Sequence, residues 1–186
     1  MISVLPSNPL VILLGPTVRE DINKSTKVFN GRFNPFSLIE KYGAKRIADK
    51  RIANLSEGEL RLTAALSCIA LDTKVVLMDE PTVGLDKEYR ERLISVIKDI
   101  ASEKIVIVAT NDIRLAAHAD NIIALDNGKV ISKGNPKEIF YSLNTQWFYS
   151  PIIEFVKKLN DLGLKNERPV TSVELKDLLR ELINGF

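Results

Sequence analysis

The chain has 186 residues, 45% of them apolar and 27% charged, enough for one buried core and a small appended subdomain. Its 26 basic and 24 acidic residues leave a formal charge of +2. The two signs interleave, as in Lys45, Arg46, Asp49, Lys50 and Arg51, so the clustered basic field of a nucleic-acid binder is absent and no nucleic-acid partner is expected.

The single cysteine, Cys68, rules out an intrachain disulfide and fits a reducing compartment. No basic stretch followed by a long apolar core opens the sequence, so it does not read as a signal peptide. The apolar run Leu10–Leu14 is far too short to cross a bilayer, and a soluble protein is expected. Residues 1–16, with Pro6, Asn8 and Pro9, read as a loop leading into a short buried segment. From Val18 to Leu71 the pattern is mostly helical, broken around 30–35. Within it, 37–43 predicts a short helix closed by Gly43, and a longer helix opens at Ser56 and runs to Leu71.

The period then changes. Lys74–Asp79 is a continuous apolar run suited to a strand buried on both faces of a parallel sheet. A charged helix over 87–103 precedes a second buried strand, Ile105–Ala109, and a short helix over 112–119. Residues 121–125 and 129–132 flank Asp126-Asn-Gly128, a hairpin signal. The remainder is helical over 136–143, 151–162 (stopped by Gly163) and 172–183. Strands alternating with helices predict an α/β fold.

Two adjacent carboxylates, Asp79 and Glu80, end the first long strand at the edge where α/β sheets place their ligands. In nucleotide hydrolysis one such acid holds Mg²⁺ and the next polarises the attacking water, although Asp-Glu-Pro can also merely start a helix. One helix upstream stands Asn54-Leu-Ser-Glu-Gly-Glu59. A helix mouth of this kind presents free N–H groups to a phosphate, while Ser56-x-x-Glu59 is also an ordinary capping box.

Together with Gly84-Leu-Asp86, these segments resemble the ABC-transporter ATPase family. Its signature loop, usually Leu-Ser-Gly-Gly-Gln, precedes a helix, a Walker B strand and a D-loop. Gly15-Pro-Thr-Val-Arg-Glu-Asp-Ile22, Leu38–Asp49, Ala119–Gly134 and the helical end are similar to the energy-coupling-factor importers of cobalt, nickel and vitamins. The resemblance implies an incomplete P-loop NTPase domain over 1–134, with Q-loop (1–16), helical signature (17–71) and Walker B to switch (72–134) segments, and a helical extension over 135–186.

It further implies that Asp79 ligates Mg²⁺ and Glu80 is the general base. ATP would be met by Ser56, Glu57, Gly58, Glu59, Asp86, Asn111 and Ser7. Three of these depart from the family pattern: Ser7 stands for the Q-loop glutamine, Glu57 for a glycine, and Asn111 for the switch histidine. The only histidine, His118, reads as an ordinary surface side chain.

No Gly-x-x-x-x-Gly-Lys-Ser/Thr occurs among the 186 residues; Gly15 and Lys24 are too far apart, and Asn23 replaces the second glycine. These residues alone are therefore expected to bind ATP·Mg²⁺ weakly and not to turn it over. In relatives the strand entering the phosphate loop lies beside the switch strand, so an apolar edge is expected at Ile105–Ala109. The expected partners are a second ABC ATPase subunit and a membrane transport subunit, at the cytoplasmic face of the cell membrane. The alternative is a non-catalytic relative that acts only by binding.

Overall fold

A computed structural model describes residues 1–28, 33–143, 148–163 and 167–184. They form two compact units, 1–111 and 112–186. The boundary at 134/135 read from the sequence falls inside the second unit, between a strand and a helix.

The first unit is organised by one helix. In α3 (Glu57–Ala70) every residue from Glu59 to Ala70 is buried. A helix buried on all sides has to be surrounded, and α3 packs against α1 (Val18–Val28), α2 (Pro35–Lys41), α4 (Lys87–Ala101) and β1 (Ile2–Leu5). Val18, Ile22, Leu38, Ile39, Leu93, Val96 and Ile97 supply the facing side chains. Gly43 takes φ +69° just after α2, as the sequence predicts for a closing glycine.

β1 pairs in parallel with β2 (Val75–Asp79), and β2 with β3 (Ile105–Ala109). The expected loop over 1–16 is thus corrected at its start: residues 2–5 are a strand, registered Ile2 to Val75 and Leu5 to Met78. Four residues carry too little period to be read alone, and the ladder to β2 is what specifies them. Beyond it a single 3-10 turn, Pro9–Val11, is capped by Asn8.

Burial on both faces is also corrected. Ser3, Leu5, Val76 and Met78 are buried, whereas on the opposite face Ile2 and Val4 are half exposed, and Ile105 and Ile107 are 62% and 57% exposed. Among the described residues β3 is paired on one side only, which makes it the expected apolar edge. Such an edge favours strand-to-strand association. Replacing Ile105 and Ile107 by lysine is expected to leave the fold intact and lower concentration-dependent self-association, measured by light scattering; undiminished association would contradict this.

In the second unit, α5 (Ile113–Ala116) leads to the antiparallel hairpin β4 (Ile122–Asp126) and β5 (Lys129–Gly134). Asn127 and Gly128, both at positive φ, make the predicted tight turn. α6 (Pro136–Ser142), α7 (Pro151–Asp161) and α8 (Ser172–Asn184) follow. Ala117, Ile139, Phe140, Ile153 and Val170 form this unit's core. Glu174 accepts from the amides of Val170 and Thr171 and pairs with Lys137 at 2.9 Å, tying the start of α8 to α6. Among the described residues no helix is long and apolar enough to cross a membrane.

Candidate functional site

Because β1, β2 and β3 run parallel, their carboxyl ends share one rim. Ser7 follows the first end, Asp79 and Glu80 the second, and Thr110 and Asn111 the third. The sequence places them far apart; the topology gathers them where open α/β sheets take ligands.

Asp79 is exposed, and its side chain has no hydrogen-bond or ion-pair partner among the described residues. Glu80, the next residue, adopts φ +45°, a left-handed conformation that costs a non-glycine residue about 1 kcal/mol. The turn sends the two carboxylates different ways. That of Glu80 reaches the end of β3, accepting from Thr110 Oγ1 at 3.1 Å and the Asn111 amide at 3.0 Å. A carboxylate has about four lone-pair positions, so two remain for a water. The Asn111 contact is through its backbone rather than its side chain, and Thr110, not singled out from the sequence, is the second anchor.

Ser56 is the N-cap of α3, accepting from the Glu59 amide at 3.3 Å, while Glu59 Oε2 accepts the Ser56 amide at 3.0 Å. The capping box is therefore real. It uses the Glu59 amide, and the Ser56 carbonyl takes that of Leu60. The amides of Glu57 and Gly58 find no partner among the described residues and face out of the helix mouth.

Glu59 itself turns inward, with Lys50 Nζ 2.7 Å from its other oxygen. Burial works against its ionisation, but the hydrogen bonds from Lys50 and the Ser56 amide prevail and hold it below the ordinary carboxylate range. Its carboxylate is thus committed to the cap and to Lys50. With a folded pKa below the unfolded one, Glu59 adds stability above the ordinary value of about 4.3, and that contribution is lost as pH falls through the folded value. Glu59→Gln keeps the capping box but removes the charge opposite Lys50, and is expected to cost about 1 kcal/mol at pH 7, with the gap to wild type narrowing as pH falls below the ordinary carboxylate value. Thermal melts across that range check it; a gap that stays constant with pH would contradict it.

Gly58 is constrained by its neighbour: a Cβ there would lie 2.5 Å from Tyr89 Cγ. Asp86 caps α4 by accepting from the Tyr89 amide at 2.9 Å, so the D-loop acid holds the helix whose first turn packs on Gly58. Gly84 adopts φ +73° and lies next to the Glu57 side chain. Sequence reasoning missed Arg61, whose Nε stands 2.7 Å from Glu57 Oε1 and whose Nη1 donates to the Glu80 carbonyl at 3.2 Å. The i,i+4 spacing of Glu57 and Arg61 was the available signal.

Among the described residues no three metal-ligating side chains stand together. Asp79, exposed and unpartnered, fits a Mg²⁺ that arrives with phosphate oxygens in its shell, since Mg²⁺ is usually held by one or two carboxylates plus a nucleotide.

Comparisons with known proteins identify the family. A family model described as "AAA domain, putative AbiEii toxin, Type IV TA system" matches residues 11–115. The chain is 32% identical, over 96% of its length, to a Methanocaldococcus jannaschii protein described as "Putative ABC transporter ATP-binding protein", spanning 67% of that protein. It is 30% identical, over 95% of its length, to the energy-coupling factor transporter ATP-binding protein EcfA2 of Ligilactobacillus salivarius, spanning 66% of it. Among solved structures, CbiO1 of Clostridium perfringens, described as part of the ABC transporter complex CbiONQ, matches with a TM-score of 0.66 and 25% identity, over 86% of this chain and 62% of that one. A dimeric ATP-binding cassette with ADP and phosphate shares the fold at a TM-score of 0.62 and 23% identity, over 73% of this chain and 62% of that one. The chain spans about two thirds of the length of these relatives. Kinship along nearly all of the 186 residues, joined to a sheet rim that carries its acids where such sheets take nucleotides, makes this chain a member of the ABC transporter ATPase family, of the energy-coupling-factor-like kind.

Proposed function

We propose that this polypeptide works in the ATP-binding part of an energy-coupling-factor-type importer for metal ions or vitamins. Its Ser56 loop would close over a nucleotide held by the phosphate loop of a second ATPase subunit. The observation that carries this reading is the mouth of α3, where the Glu57 and Gly58 amides stay unpaired beside Ser56 although the cap satisfies the next two. Unpaired amides at the start of a 14-residue helix suit a terminal phosphate.

On the chain's own rim, Asp79 would take the Mg²⁺ and Glu80 would orient a water. Bound ATP would supply the phosphoanhydride and, with its Mg²⁺, neutralise charge that develops on the phosphates. Thr110 and the Asn111 amide fix the direction of the Glu80 carboxylate, and Asn111 itself carries no proton charge. Ser7, being short, would reach an ATP-bound cation only through water. The relatives' descriptions as transporter ATP-binding proteins support a membrane transport subunit as partner; the chain would work at the cytoplasmic face of the membrane, and 135–186 would be the extension that pairs ATPase subunits.

The test is co-expression with the P-loop-bearing ABC ATPase of the same genome. The wild-type chain is expected to co-purify with it and to raise its ATP turnover. Ser56→Arg is expected to cut that turnover about a hundredfold, the usual effect of losing a phosphate-facing donor. Turnover indifferent to Ser56→Arg would overturn the reading. It would favour a second one, a docking subunit without a nucleotide role, for which the Glu57 carboxylate at the helix mouth already argues.

A further inference from the structure

Glu57 puts a negative charge at the mouth of a helix that the preceding proposal turns toward a phosphate. The Glu57 side chain is half exposed, at 51%, while Arg61, one turn further along α3, is 8% exposed. The Arg61 guanidinium lies between two segments of the rim, with Nε 2.7 Å from Glu57 Oε1 and Nη1 3.2 Å from the Glu80 carbonyl oxygen. The Nε–H is buried and not aligned for a hydrogen bond, so the contact with Glu57 is one of charge. Burying a guanidinium with one N–H unmatched is a poor way to stabilise a helix. What the position retains is a positive charge directly behind the Glu57 carboxylate, and a hold on the backbone of Glu80 at its left-handed turn.

We propose that Arg61 is a positioning residue of the nucleotide site. It screens Glu57, so that the Ser56 loop accepts an anion despite carrying a carboxylate, and it fixes the loop to the Glu80 turn. The inference rests on the reading of the Ser56 loop given above. It makes the charge on Glu57, rather than its shape, the determinant of how tightly the loop meets a triphosphate.

The test uses the complex with the P-loop-bearing ATPase and reads KM for ATP, kcat and its salt dependence. Glu57→Gln leaves the Arg61 charge unopposed and is expected to lower KM for ATP about fivefold, the effect of one unit charge across a few ångströms of partly screened solvent. Arg61→Gln is expected to raise KM about fivefold with kcat nearly unchanged. Pairing the two substitutions is expected to return KM to near the wild-type value. The KM shifts should shrink at high salt. A merely structural ion pair would lower melting temperature in both single variants and leave KM alone.

Glu57 is at the surface, so Glu57→Gln folds even if Arg61→Gln does not, and an unchanged or raised KM in Glu57→Gln overturns the proposal by itself. If Ser56→Arg leaves turnover unaffected, the nucleotide role of the loop fails. If Ser56→Arg abolishes turnover but Glu57→Gln does not lower KM, only the role of Arg61 fails.

Discussion

Replacing Asp21 with alanine is expected to destabilise the first unit by about 3–5 kcal/mol. Asp21 is 2% exposed. One oxygen accepts from the amides of Leu14 and Gly15, at 2.6 and 2.7 Å, and the other from Ser67 Oγ at 2.5 Å. The carboxylate therefore closes the turn ahead of α1 and joins that turn to the middle of α3. Its removal strands three donors, each worth about 1–3 kcal/mol when left unmet, although the sum falls short of additive. Relief of the cost of burying a charge offsets part of this, but three donors converging on one side chain outweigh it. Asp21→Asn can keep its oxygen on the Leu14 and Gly15 amides and turn its NH2 to the Ser67 hydroxyl, which can accept, so it is expected to recover more than half the loss. Urea unfolding of the three proteins decides it, and a midpoint for Asp21→Ala within error of wild type would contradict the account.

The same cluster constrains Gly15. A Cβ on Gly15 would lie 2.4 Å from the Asp21 amide, so glycine and aspartate are two halves of one turn. Asp21 also helps to silence the lone cysteine. Burial first, and the Asp21 charge second, push the Cys68 thiol up to about 12, leaving almost no thiolate at neutral pH.

What could be read from the sequence followed from patterns longer than a few residues. The buried length of α3, the strand ending in Asp79 and the Asn127-Gly128 hairpin declared themselves by period and turn chemistry, and their bounds hold to within two residues. β1 did not, because Ile2–Leu5 is specified by its ladder to Val75–Met78, some seventy residues on. The exposure of Ile105 and Ile107 belongs to the sheet face they share with Ile2 and Val4, whereas the apolar composition of the strand pointed to burial.

At the site, residue identity gave the acids and the cap, while geometry alone divided their roles. The Glu59 carboxylate turns inward to Lys50 and the Ser56 amide, Glu57 stays outward with Arg61 behind it, and the Glu80 carboxylate reaches Thr110. None of those directions is set by local propensity. They depend on where a parallel sheet and the α3 mouth bring distant backbone together.

Packing alone leaves no room at Gly58 for a side chain. Its backbone is helical, so alanine would gain about 1 kcal/mol of helix propensity there if space allowed. Space does not allow it, because a Cβ would sit 2.5 and 2.6 Å from Cγ and Cδ2 of Tyr89, a ring held by the first turn of α4 under the Asp86 cap. Valine at this position is expected to cost about 3 kcal/mol, since overpacking against an anchored ring exceeds what propensity returns. The strain is specific to the ring, so Tyr89→Ala should be less harmful combined with Gly58→Val than the sum of the two single changes. Thermal melts of wild type, both single variants and the double variant give this coupling directly. A Gly58→Val cost that is undiminished in the Tyr89→Ala background would place the constraint elsewhere. Where the coupling is found, the approach of α4 to the mouth of α3 sets the distance at which the Glu57 and Gly58 amides can meet a phosphate.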